Sequence, residues 1–131
     1  MNENTSITRQ QERAQKAYKC ISPRVKETKG QGKKSGKDNE EYSQLAKKFP
    51  ALVHNCGLAQ ALAFLQAKEK DANIGKAYYS HLSEVMGLKK DEDLGKISRT
   101  AKLMEYQHLT REAIEAATWL KRYSEALLET D

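Results

Sequence analysis

Ser98–Asp131, SRTAKLMEYQHLTREAIEAATWLKRYSEALLETD, decides the fold. The stretch contains no Gly and no Pro and lies in the longest such run of the chain. Tyr106, Leu109, Ala113, Ala116, Leu120, Tyr123 and Leu127 step along it by three and four alternately, the spacing that stacks side chains on one side of an α-helix. Leu103, Ile114, Ala117 and Leu128 widen that face, and Trp119 adds a ring on the other flank. The apolar arc then exceeds the roughly 100° of an ordinary surface helix, so neighbours should grip it on several sides. Only Gln107, Arg111, Glu115, Thr118, Arg122, Glu125 and Glu129 form a wet strip. The small residues Ala113, Ala116 and Ala117 allow a partner helix to come close. This is the long C-terminal helix of an all-α protein.

Working outward, the 131 residues suit a single domain, residues 1–131, with a compact bundle of about five or six helices around that long helix. Hydrophobic residues make up 38% and charged residues 31%. The net charge of +5 is uneven: residues 1–50 carry 12 Lys+Arg against 6 Asp+Glu, and residues 51–131 carry 11 against 12. A polyanion would therefore meet the N-terminal part, although a solvated basic surface would look the same. The two cysteines, Cys20 and Cys56, form no CxxC, so a disulfide framework is not expected. No apolar run approaches the ~20 residues of a membrane span, and MNENTSITRQQ has no apolar signal core. These features fit a cytoplasmic protein.

Met1–Ser6 reads as a polar tail, after which Thr8 and Gln11 fit a capping box. The helix that follows places Ile7, Ala14, Ala17/Tyr18, Ile21 and Val25 on one face, and Pro23 should kink or divide it. Its outward face carries Arg9, Arg13 and Lys16, of which only Lys16 has an acid four residues away, Glu12. A stripe of like charges costs a few tenths of a kcal/mol on a bare helix, which hints at an anionic partner. Lys29–Asn39, KGQGKKSGKDN, has no apolar residue and reads as a mobile basic loop. Asp38 and Glu41 suggest a second capping box, opening a helix with Tyr42, Leu45, Phe49, Leu52/Val53 and Cys56 inward and Pro50 bending it. Lys47 points away from that face and Lys48 lies at its side. Gly57 breaks the pattern, and Leu58–Lys68 packs Leu58, Ala61, Leu62 and Leu65 along one side. Lys76–Met86 forms a shorter helix ended by Gly87 in a left-handed position, and Asp91–Ile97 adds a turn or two.

Chemistry is harder to find. His54, His81 and His108 make no HxxxH or HExxH pair, and two thiols do not suffice for a four-ligand zinc site. There is no phosphate-cradling GxxxxGK[ST], no strand followed by GxGxxG and no GxSxG elbow. No metal, cofactor or catalytic set is expected. Tyr18, Tyr42, Tyr106 and Tyr123 fall on apolar faces, where core packing accounts for them better than base stacking. Arg111–Glu115 and Lys121–Glu125 are spaced for pairing within the helix. Two functions from different classes remain. One is a non-catalytic subunit touching proteins and a nucleic-acid backbone. The other is a small DNA-binding regulator, which would need a recognition helix after a short turn. The only candidate turn, Asn55-Cys56-Gly57, leads into LAQALAFLQ, too apolar for a groove.

Three stretches together carry a resemblance: AQKAY (14–18), LAKKFPALVHNCGLAQALAFLQAK (45–68) and YQHLTREAIEAATWLKRYSEALLE (106–129). In this order the chain resembles the small all-helical subunit, the fifth Cmr protein, of type III-B CRISPR RNA-guided effector complexes. The resemblance implies a protein without enzyme activity that stacks in a short filament beside the backbone RAMP subunit and neighbouring copies of itself. It would line the groove holding the guide RNA–target RNA duplex in antiviral defence. Phosphate contacts position a strand without reading it, and pairing to the guide supplies specificity. Lys16, Lys47 and Lys48, backed by Arg9 and Arg13, become the first choice for RNA-backbone contacts. Arg111, Lys121 and Arg122 come second, because acidic neighbours can neutralise them. Trp119, at the edge of the apolar arc, becomes a candidate partner anchor or half-buried core.

Overall fold

The computed structural model describes residues 6–31, 33–68 and 73–128, leaving out the side chains of 26–31, 33–37 and 68. Through them run six helices: α1 (Arg9–Gln31), α2 (Lys33–Cys56), α3 (Leu58–Lys68), α4 (Ile74–Met86), α5 (Leu94–Thr100) and α6 (Leu103–Leu127). No strand occurs among the described residues.

The capping box predicted for α1 forms. The Gln11 N–H donates to Thr8 Oγ1 at 3.0 Å and the Thr8 N–H donates to Gln11 Oε1 at 2.7 Å. α1 continues through Pro23, and α2 continues through Pro50. The sequence expectation for 29–39 is corrected. Residues 29–31 end α1 and 33–39 begin α2, so the backbone on both sides of residue 32 is helical. Lacking apolar side chains keeps a segment out of the core, but it does not prevent a helix whose neighbouring turns are anchored, and Lys and Gln are good helix formers. Asp38 and Glu41 consequently lie inside α2 and do not start it.

α2 ends at Cys56 because Gly57 takes φ +86°, a left-handed value that side chains resist. Tyr106 of α6 seals the junction: its hydroxyl accepts the Ala59 N–H, one of the orphan donors of the first turn of α3, at 3.0 Å. Gly87, at φ +89°, ends α4 with its N–H donating to the Glu84 carbonyl, while the Leu88 N–H donates to that of Ser83. Asp93 caps α5 by accepting the Gly95 N–H at 3.1 Å.

The core gathers Tyr42, Phe49 and Val53 of α2, Leu58, Leu62 and Leu65 of α3, Tyr78, Leu82 and Val85 of α4, Leu94 of α5 and Leu120 of α6. Tyr78 lies between Tyr42 and Phe49, with ring centroids 5.7 and 5.1 Å away. α6 packs against α1, α2 and α4, as its wide apolar arc requires. Ala113, Ala116 and Ala117 are fully buried, so α6 contributes nothing larger than methyl groups to the packing there.

Two details of the C-terminal stretch differ from the sequence reading. Ser98–Thr100 belong to α5, and α6 starts only at Leu103, after Ala101 and Lys102 turn extended with ψ of 141° and 165°. The Ser98 and Thr100 hydroxyls donate back to the carbonyls of Gly95 and Lys96. Such hydroxyls give helix carbonyls an alternative partner and make Ser and Thr weak helix formers, so a break needs neither Gly nor Pro. Leu103 then falls outside the core, 72% exposed, beside Met104 at 81%.

Candidate nucleic-acid interface

α1 and α6 lie side by side and run parallel, as four pairs show. Arg9 meets Glu112, Arg13 meets Glu112 and Glu115, and Tyr18 meets Tyr123. The seam is charged at its N-terminal end and aromatic at its C-terminal end.

The charged end overturns the idea of uncompensated cations on α1. Arg13 is buried, 4% exposed. Its Nη2 lies 2.6 Å from Glu112 Oε1 and its Nη1 donates to Glu115 Oε2. Arg9, though exposed, reaches Glu112 at 3.3 Å. Burial disfavours the Glu112 carboxylate, but the hydrogen bond and charge of Arg13, with Arg9 and His108 beside it, outweigh that and hold its pKa below the ordinary value. The partners of Arg9 and Arg13 stand on a helix about a hundred residues downstream, beyond the reach of helical spacing. Lys16 is half-buried, and its ammonium stands beside Gly87, where the C-terminal carbonyls of α4 favour a cation.

The cations ranked second fare the opposite way. Glu115 is turned to Arg13, and neither Arg111–Glu115 nor Lys121–Glu125 is among the ion pairs of the described residues. Arg111 and Arg122 are exposed and Lys121 is half-exposed. Lys47 lies exposed on α2, pointing away from the apolar face as read from the sequence, and Lys48, read at the side of that face, is exposed as well.

At the aromatic end, Trp119 is half-buried and stacks on Tyr123, with centroids 6.0 Å apart and planes inclined by 23°. The Arg122 guanidinium sits 5.7 Å from the Trp119 ring. Tyr18 meets Tyr123 edge-on at 5.6 Å and is 49% exposed, so it is not the core residue that helical spacing suggested.

A polar group inside the fold serves architecture. Arg24 of α1 lies 4.4 Å from the centre of the Tyr42 ring and donates from Nε to Asn39 Oδ1 at 3.2 Å. The Tyr42 hydroxyl is 2.6 Å from His81 Nδ1 on α4. Burial foremost, then Arg24, push the His81 pKa down to about 4, so the ring is neutral near neutral pH. Burial drives the Tyr42 hydroxyl upward, so the phenol keeps its proton. Cys20, also buried, is pushed up to about 12 by burial and by Glu84, which its thiol faces at 3.5 Å. That thiol is therefore a poor nucleophile. Among the described residues no group of His, Cys, Asp and Glu could hold a metal ion, and no helix is long and apolar enough to cross a membrane.

Comparison with known proteins agrees with this architecture. Residues 9–127 match the family model for the CRISPR-associated protein Cas_Cmr5. The chain is 42% identical over 122 residues to the CRISPR system Cmr subunit Cmr5 of Thermus thermophilus, covering 93% of this chain and 97% of that protein. The crystal structure of a CRISPR-associated Cmr5 family protein from the same organism superposes with a TM-score of 0.77 at 39% identity, over 95% of this chain and 100% of the other. With an all-helical fold that superposes on that structure and a match that spans nearly its whole length, the chain belongs to the Cmr5 family of CRISPR-associated proteins.

Proposed function

We propose that the chain is a non-catalytic subunit of a type III-B CRISPR effector complex. In it the chain packs against other Cmr subunits and copies of itself and lies along the phosphate backbone of the guide RNA–target RNA duplex. Family membership across residues 9–127 carries this reading. The exposed Lys47 and Lys48 of α2 and Arg111 and Arg122 of α6 support the RNA contact, with Lys121 at the side of the same helix. Arg13 is assigned to the α1–α6 seam, and Arg9 and Lys16 are secondary. The fold supplies no reason to expect chemistry from the chain itself; target cleavage would fall to other subunits.

A DNA-binding regulator is less well supported. Its recognition helix would be α3, whose Leu58, Ala61, Leu62 and Leu65 are committed to the core. The exposed residues of α3 up to Ala67 are Gln60, Ala63, Phe64, Gln66 and Ala67, with no cation among them to approach phosphates.

Reconstitution with the other Cmr subunits and a guide RNA tests the proposal. Lys47→Glu with Lys48→Glu should weaken target-RNA binding roughly tenfold at moderate salt while the helical circular dichroism stays the same. Unchanged affinity, or failure of the wild-type chain to join the complex, contradicts it.

A further inference from the structure

The rings at the aromatic end of the α1–α6 seam are only partly taken up by the core, and of the phosphate contacts above only Arg122 lies among them. Tyr18, Tyr123 and Trp119 form a continuous row, edge-on and then stacked. Beside Tyr18 runs a shallow groove walled by Ala14, Gln15, Lys19 and Tyr123. Half of Tyr18 is open to solvent there. The row is bracketed by cations, Lys19 on α1 and Arg122 over the Trp119 ring on α6, both exposed. Glu115, one turn before Trp119, is held by Arg13 and does not cancel them. The exposed acid on the same side of α1, Glu12, lies two helical turns, about 10 Å along the axis, from Lys19.

We infer that this groove receives an unpaired RNA base, stacked on the open part of Tyr18, with Lys19 and Arg122 taking the flanking phosphates and the Gln15 amide within the groove wall for hydrogen bonding. The inference rests on the RNA-contacting reading above and adds a base-dependent contact to it. An aromatic row with cations on both sides is the combination that holds single strands without reading their sequence, because every base has a π-face. Charge favours this occupant over an apolar segment of a partner protein, which would bring no counter-charge to Lys19 and Arg122.

The chain's single tryptophan, Trp119, reports on the site. The full-length protein is titrated at fixed salt with a short oligouridylate and with an abasic ribose-phosphate strand of equal length, following Trp119 fluorescence and strand anisotropy. The base-bearing strand should bind about tenfold more tightly and change the fluorescence, while the abasic strand should not change it. Tyr18→Ala should remove the difference between the strands and leave the salt slope and circular dichroism as they were. Equal binding of both strands with constant fluorescence overturns the base contact while the phosphate reading stands. Binding of neither strand overturns both. A Tyr18→Ala protein that binds both strands as wild type does, yet no longer joins the other Cmr subunits, makes the row a protein contact and overturns the inference.

Discussion

At the scale of single residues, the same side-chain type plays opposite parts depending on what stands across the seam. Arg13 and Arg111 are both helix arginines, yet one is buried between two carboxylates and the other is exposed. Removing one member of a buried ion pair strands the other. Arg13→Met should therefore cost about 2–3 kcal/mol in urea unfolding, somewhat below a fully buried case because Glu115 reaches solvent. Arg9→Ala, at an exposed pair, should cost less than about 0.5 kcal/mol. Equal effects would show that the seam is not organised by Arg13. The cysteines divide in the same manner. Cys56 is exposed and should react with a thiol reagent in the native protein, whereas Cys20 should stay silent until denaturant is added. Two equally fast thiols would contradict the burial of Cys20. The identity of the cations was readable from the chain, but their pairing was not. Helical spacing sees neighbours at three and four residues, and Glu112 and Glu115 meet Arg13 only once α6 has been laid along α1.

At the scale of elements, helix existence was legible from apolar periodicity, and helix ends were legible where backbone geometry left one residue type available. Gly57 and Gly87 stop α2 and α4 in left-handed conformations. Gly57→Ala should cost about 1–2 kcal/mol from that conformation, since the new Cβ would stand at an ordinary 3.4 Å from the Tyr106 hydroxyl. Tyr106→Phe should cost about 1 kcal/mol by removing the acceptor for the Ala59 N–H. Thermal unfolding reads both, and a neutral Gly57→Ala would place that residue outside the left-handed region. The ends set by subtler means were missed. The α5–α6 break at Ala101-Lys102 has no glycine or proline to announce it. The polar 33–39 segment is helical although nothing in it seeks a core.

At the scale of the whole molecule, the helices are coupled by two polar groups that respond to acid in sequence. His81 has a pKa near 4 when folded against an ordinary value of 6.5. Between those values the unfolded chain binds more protons, so stability should fall as pH drops from about 6.5 and this loss is complete below about 4. Glu112, held below its ordinary 4.5, adds a second loss as pH falls from that value through its folded pKa. Urea midpoints taken from pH 7 to pH 3 should decline over both windows, and His81→Gln should flatten the upper one. A midpoint constant down to pH 4 would contradict the enclosed neutral imidazole. The family and the all-helical class were open to the sequence because the motifs are themselves packing patterns, whose apolar residues recur as the core. Which cations face outward is instead a property of the assembled bundle. Salt dependence of RNA affinity tests that distribution most directly. In anisotropy titrations of the full chain from low to high salt, log affinity should fall steeply with log salt. Arg111→Gln and Lys47→Gln should each lower the slope by about one unit, while Arg13→Met leaves it unchanged. Affinity indifferent to salt, or a slope reduced by Arg13→Met alone, would contradict the account.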